Sequence, residues 1–423
     1  MDRRQFLQAT GASALIATTG CASISGQAKP HVIVIGGGYG GATAAKYVRL
    51  WSENSIDVTI VEPNANFISC PLSNLVLGGS KKIGDLTLGY DNLIRNHGIK
   101  LLHDSVSHID SEKRTVTLLS GATLSYDRLI VSPGVEFLWD LLPGMKVAGA
   151  QDKILHAWKA GPQTVALRAQ LESMPDGGVY AMTIPPQPYR CPPGPYERAC
   201  QIAHYFSQHK PKSKVLLLDA NEDVISKPAL FKRVWKERYG SIIEYRPSFR
   251  TVDIDVNAKT AISELGDKVK ADVLNAIPPQ RAGAIAVETE LANMNKRWCE
   301  VSFQTFESTQ AKNIHVIGDA IQVSPLMPKS AHMANQHAKV CAAAVVDLLN
   351  GRMPEQSPII NNTCYSFIND KEVIHVASVH TWNEEKKTLL VVPGSGGLSS
   401  GPNELEGAYA NSWATNIWSD ALS

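Results

Sequence analysis

Three glycines, one acid and one cysteine in a proline loop are the residues best placed to do chemistry in this 423-residue chain. Gly36, Gly38 and Gly41 fill the glycine places of Gly-x-Gly-x-x-Gly, and Glu62 follows 21 residues after Gly41. Glycines at this spacing let the backbone approach a pyrophosphate, which then rests against a helix N-terminus, while an acid about 20 residues on meets a ribose hydroxyl. Cys191 stands in the run from Pro185 to Arg198, which holds six prolines. Arg190 and a helix expected from about Pro195 to Gln208 should favour its thiolate, the reactive form of the side chain. Cys200 and Cys341 sit among alanines in helical patterns, and with Cys299 they read as inert buried thiols.

The elements that would hold the glycines are legible around them. His31-Val32-Ile33-Val34-Ile35 is a β-branched run fit for a buried parallel strand, Ala42 to Leu50 reads as a helix, and Ile56 to Glu62 reads as a second strand ending in its acid. A second unit of this kind begins at Gly178 to Ile184 and resumes at Val215 to Asp219. Its connecting loop is the proline run, and proline has no N–H to offer a pyrophosphate, so this domain is expected to be retained without a nicotinamide site.

The composition is that of an ordinary globular protein, with 41 Lys+Arg against 40 Asp+Glu and 44% apolar residues. That balance argues against nucleic acid as a partner, since phosphate binding needs a net basic face. Arg3-Arg4-Gln5-Phe6-Leu7, the weakly apolar run to Ala22 and Gly26-Gln27-Ala28 look like a twin-arginine export signal over residues 1–28. Cys21 is alternatively a lipid-attachment cysteine. No later window offers the roughly 18 apolar residues of a spanning helix, so a periplasmic protein without an integral membrane segment is expected. No Cys-x-x-Cys-His occurs, which leaves c-type haem to another chain, and no cysteine or histidine cluster has zinc spacing, so no metal is expected.

Tyr126-Asp127-Arg128-Leu129 to Gly134, and Ile314 to Gly318-Asp319, resemble two segments of flavoproteins built on two dinucleotide-binding domains. By that resemblance the cofactor is FAD and Asp319 meets its ribityl chain. The whole chain, and most specifically the loop Cys191-Pro192-Pro193-Gly194-Pro195-Tyr196-Glu197-Arg198, resembles the flavoprotein subunit of flavocytochrome c sulfide dehydrogenase. The resemblance implies that Cys70 attaches FAD covalently, that Cys191 and Cys364 form a redox disulfide with Glu197 beside it, and that Trp418 lines the flavin. Trp413, five residues earlier, is the nearest competitor for that last role.

It further implies an α/β, glutathione-reductase-like fold. The expected plan is an FAD-binding domain over 29–145 and 285–350, an NAD-like domain over 146–284, and a C-terminal α+β interface domain over 351–423. Cys364 is expected in a loop after Asn361-Asn362-Thr363. The implied activity is sulfide:cytochrome c oxidoreduction, in which sulfide becomes zero-valent sulfur and electrons pass through FAD to a c-type cytochrome subunit of a heterodimer. A sulfide:quinone oxidoreductase on the same scaffold, or a non-enzymatic sulfur-carrier or assembly flavoprotein, are the alternatives.

Overall fold

The structure is a computed structural model that describes residues 28–423, so all but the last residue of the expected export signal, with Cys21, lies outside the described residues. Strand β1 (His31–Ile35) runs into helix α1 (Tyr39–Trp51), and β2 (Asp57–Val61) pairs with β1 in parallel. The β-branched run buries Val32, Ile33 and Val34 completely, as a strand covered on both faces must. A short helix, α2 (Ser73–Gly78), follows, then β3 (Lys100–Leu102) beside β2 and β4 (Arg128–Val131) beside β1.

The chain then leaves this sheet. Strand β5 (Val179–Ile184), helix α3 (Gly194–His209), β6 (Lys214–Asp219), helix α4 (Pro228–Arg238), β7 (Ile243–Arg246) and β8 (Val273–Ala276) build a second parallel sheet in the order β7-β6-β5-β8. Outward and return crossings lie side by side, for Val135–Phe137 pairs antiparallel with Gln280–Ala282. The return therefore begins at Gln280, a few residues ahead of the expected boundary at 285.

Strand β9 (Ile314–Val316) completes the first sheet beside β4, giving β9-β4-β1-β2-β3, all parallel. Helix α5 (Ala331–Leu349) packs on α1, in which Ala42, Ala44 and Ala45 are fully buried. The last part is an antiparallel sheet of β10 (Ile359–Phe367), β11 (Val373–Asn383) and β12 (Thr388–Val391), covered by helix α6 (Glu404–Leu422). Cys364 is not in a loop: it pairs with Val376 in mid-strand. The turn-forming character of Asn361 and Asn362 yields there to a full ladder with β11. Among the described residues no helix is long and apolar enough to cross a membrane, and no group of side chains could hold a metal ion.

Candidate active site

Each glycine of the first motif has a separate steric reason. Gly36 has a φ of +94°, and a Cβ there would lie 2.4 Å from the carbonyl oxygen of Ser132; at Gly41 it would meet the Gly36 oxygen at 1.8 Å. Gly38 has nothing within 4 Å of such a carbon, because it faces an open cavity. No side chain caps α1, so its leading N–H groups are left for a ligand. Glu62 stands on the same cavity, its Oε2 accepting from the Gly37 amide at 2.7 Å and its Oε1 from the Asn64 amide at 2.8 Å. Asp319 lines the cavity as well, and its Oδ1 is buried without a hydrogen-bond partner. The open cradle over Gly38 and the orphaned carboxylate oxygen of Asp319 fit a dinucleotide with a polyhydroxyl chain.

Three cysteines reach the same cavity from three parts of the chain: Cys70 ahead of α2, Cys191 ahead of α3, and Cys364 from β10. All three are free thiols in the structure. The Cys191 backbone is held at a φ of +56°, its amide donates to the Lys329 carbonyl at 2.7 Å, and its own carbonyl accepts from Gly194 at 2.9 Å.

Arg190 hydrogen-bonds elsewhere, although its charge favours the Cys191 thiolate as the sequence suggested. Its Nη2 donates to Cys70 Sγ at 3.1 Å and to the Trp158 carbonyl. Although Cys191 is exposed along the cavity wall, protein surrounds its thiol on every other side. That burial, with Glu197 and Cys364 adding to it, pushes the Cys191 thiol well above the usual range and outweighs the opposing charge of Arg190. Burial also raises Cys364, but there Lys227 and the Asn362 amide, 3.2 Å from Sγ, oppose it.

Glu197 ties these elements together. Its Oε1 accepts from the Phe367 amide of β10 at 2.9 Å and its Oε2 from Asn74 of α2 at 2.8 Å, while burial raises its pKa. Trp413 lines the cavity, and Trp418 does not: it donates from Nε1 to Tyr39 Oη at 3.0 Å behind the wall. Five residues along an α-helix turn about 140° around its axis, so α6 presents only one of the two to the cavity.

Residues 164–278 match the family model for the central part of the sulfide dehydrogenase [flavocytochrome c] flavoprotein chain, and residues 356–422 match the flavocytochrome c sulphide dehydrogenase flavin-binding model. A curated flavoprotein chain of that enzyme from Chlorobaculum thiosulfatiphilum is 56% identical over 46 residues, which are 11% of this chain and 94% of the relative. The chain belongs to this flavoprotein-chain family.

Residues 30–172 of this family member also match the broader pyridine nucleotide-disulphide oxidoreductase model, in keeping with its two parallel sheets. A mitochondrial sulfide:quinone oxidoreductase from Dictyostelium discoideum is 25% identical over 299 residues, 68% of this chain and 64% of that relative. Among solved structures, the sulfide:quinone oxidoreductase of Aquifex aeolicus superposes with a TM-score of 0.76 at 16% identity, covering 93% of this chain and 91% of that one. An NAD-dependent persulfide reductase from A. fulgidus gives a TM-score of 0.62 at 14% identity, covering 92% and 77%.

The flavoprotein chain carries site residues that the sequence did not reveal. Arg198, fully buried, donates to Asn74 Oδ1, Asn275 Oδ1 and the carbonyls of His156 and Ala157, and so braces the floor of the cavity. Lys329 lies in the cavity wall with its Nζ on the Asp319 and Ile321 carbonyls, over the Trp298 ring; burial lowers its pKa to about 7. Lys227 donates to the carbonyl of Cys364 itself. A basic residue followed by an alanine-rich helix was the only local signal for Lys329, Arg198 was visible only as the end of the proline-loop motif, and Lys227 had no local signal.

Proposed function

We propose that the chain oxidises sulfide to zero-valent sulfur through a Cys191–Cys364 disulfide and FAD, and passes the electrons to a c-type cytochrome subunit in the periplasm. The observation that carries this reading is the meeting of Cys191 and Cys364, 173 residues apart, on one cavity with Gly38, Glu62 and Asp319. The glycine turn, Glu62 and Asp319 would hold FAD, with Cys70 as its covalent anchor. When bound, FAD supplies a two-electron acceptor that can release electrons singly to a haem.

The protein's own residues account for the sulfur steps. Hydrosulfide attacks one sulfur of the disulfide; a new S–S bond makes a persulfide there, and the Cys191–Cys364 bond breaks with its electron pair on the other sulfur. Glu197, whose burial keeps its proton to higher pH than an ordinary carboxyl, stands where it can give or take the proton of the sulfur species. Its bonds to Phe367 and Asn74 tie it to the strand that carries Cys364 and to the short helix that follows Cys70. In this reading the haem belongs to a separate cytochrome subunit, since the sequence holds no Cys-x-x-Cys-His.

Cys191→Ser and Cys364→Ser test the proposal. Each should lose sulfide-dependent cytochrome c reduction while flavin absorbance and fold survive, and either variant with normal activity would overturn the mechanism. Similarity to sulfide:quinone oxidoreductases supports a second reading of the acceptor. Anaerobic reduction by sulfide followed by addition of cytochrome c or a soluble quinone separates the two.

A further inference from the structure

Lys227 is a buried cation that none of the steps above uses. It is 4% exposed, takes a left-handed φ of 55° just ahead of α4, and packs its ammonium near the Phe231 ring. Nζ donates to the Cys364 carbonyl at 3.0 Å and to Ser366 Oγ at 2.9 Å. Both acceptors are neutral, whereas the Glu197 carboxylate is engaged by Asn74 and the Phe367 amide. Burying an ammonium on neutral acceptors is costly, which calls for a compensating anion or a function.

Strand geometry says where that anion would be. Residues 362, 364 and 366 alternate onto one face of β10, so an ammonium on Ser366 Oγ stands over the face that carries Cys364 Sγ. On the same face Asn362 Nδ2 reaches that sulfur at 3.2 Å. The titratable groups facing this point are Cys364 from β10, beside the neutral Asn362 amide, Glu197 from α3, Cys191 from the proline loop and, more remotely, Glu406 from α6. Of these, Cys364 acts most strongly on Lys227, and Lys227 is the foremost charge acting on Cys364. Burial lowers the Lys227 pKa only to about 8, so the ammonium persists at neutral pH.

We propose that Lys227 is a positioning residue of the sulfur site, its ammonium serving as counter-cation to Cys364 whenever that sulfur is an anion. The proposal rests on the redox-disulfide reading for its use in turnover, yet its test needs no turnover. When the disulfide opens, the electron pair of the broken S–S bond stays on one sulfur, and an anion on Cys364 meets a fixed positive charge without any movement of the chain. The same contact to the Cys364 carbonyl holds the strand while the sulfur changes partner.

Full-length flavoprotein is reduced, freed of reductant, and treated with methyl methanethiosulfonate across a pH series, with modification at each cysteine read by peptide mass. In the unmutated protein Cys364 should react at lower pH than Cys191; the reverse order overturns the proposal without any variant. Lys227→Gln keeps a hydrogen-bond donor but no charge, and should slow Cys364 modification about tenfold at neutral pH, the effect of one pKa unit. Lys227→Arg should restore the profile. A Lys227→Gln protein with an unchanged Cys364 profile would show that the side chain only clamps the strand, and sinks the idea. Loss of sulfide oxidation by the unmutated enzyme would refute the functional reading instead, leaving the thiol measurements to stand or fall separately.

Discussion

Tyr196 donates its phenol hydrogen to Asp219 Oδ2 at 2.7 Å, and Tyr245 adds a second bond to the same oxygen at 3.1 Å. Asp219 ends β6, the place where a Rossmann unit keeps its ribose-binding acid. Its other oxygen accepts from the Asn221 amide at 2.9 Å and side chain at 2.7 Å, and the whole residue is buried. The carboxylate is thus consumed by the protein itself, and the proline loop before α3 carries Cys191 instead of phosphate-binding amides.

NADH and NADPH should therefore neither bleach the flavin nor bind at micromolar concentration. Stopped-flow absorbance at the flavin band checks this, with sulfide as positive control. Fast bleaching by either nucleotide contradicts the assignment.

Cys70, with its sulfur 3.1 Å from Arg190 Nη2, should retain flavin through acid denaturation, leaving a yellow pellet. Cys70→Ala should release the flavin to the supernatant while binding it in the folded state. Flavin released from the unmutated protein would rule the linkage out.

Arg198→Met should destabilise the protein by about 3 kcal/mol or more, because it leaves several buried acceptors without a donor. The acceptors are Asn74, Asn275 and two carbonyls, all within 3.0 Å of the guanidinium. Guanidinium chloride unfolding measures it, and a loss below about 1 kcal/mol would show that water replaces the network. Arg198→Lys should recover little, since an ammonium lacks the planar fork.

His337 is buried against Phe306 with neither ring nitrogen hydrogen-bonded, and burial holds its pKa near about 3. The folded value lies below that of the unfolded chain, so the neutral ring contributes stability above about pH 6.5 that is lost as pH falls toward 3. The unfolded state gains one proton there, a slope of about 1.4 kcal/mol per pH unit. His337→Phe should flatten the acid limb of unfolding free energy against pH by one proton. An unchanged slope would mean the histidine titrates normally.

The glycine turn and Glu62 were legible because strand, turn, helix and acid lie within some 30 consecutive residues and each obeys a local rule. The inert character of Cys200 was legible for the same reason, and it is indeed buried under Trp235. What local pattern could not supply was who meets whom. Arg190 neighbours Cys191 in sequence but bonds Cys70, because the turn at Cys191 sends the two side chains apart. Trp413 and Trp418 are equivalent as letters, and only the rotation of α6 against α1 separates them. Cys364 looked like a loop residue until β11 gave its backbone a partner, and Lys227 had no signal at all, since its acceptors lie 137 and 139 residues away.

The pairing of Val135–Phe137 with Gln280–Ala282 has an evolutionary reading. A module that leaves and re-enters its host through adjacent strands can be deleted, exchanged or grafted with its two cut ends already in register. The inserted module carries the Cys191 loop in the place of a nucleotide-binding loop, so that loop travels with the module, whereas Cys364 stays behind on the C-terminal sheet.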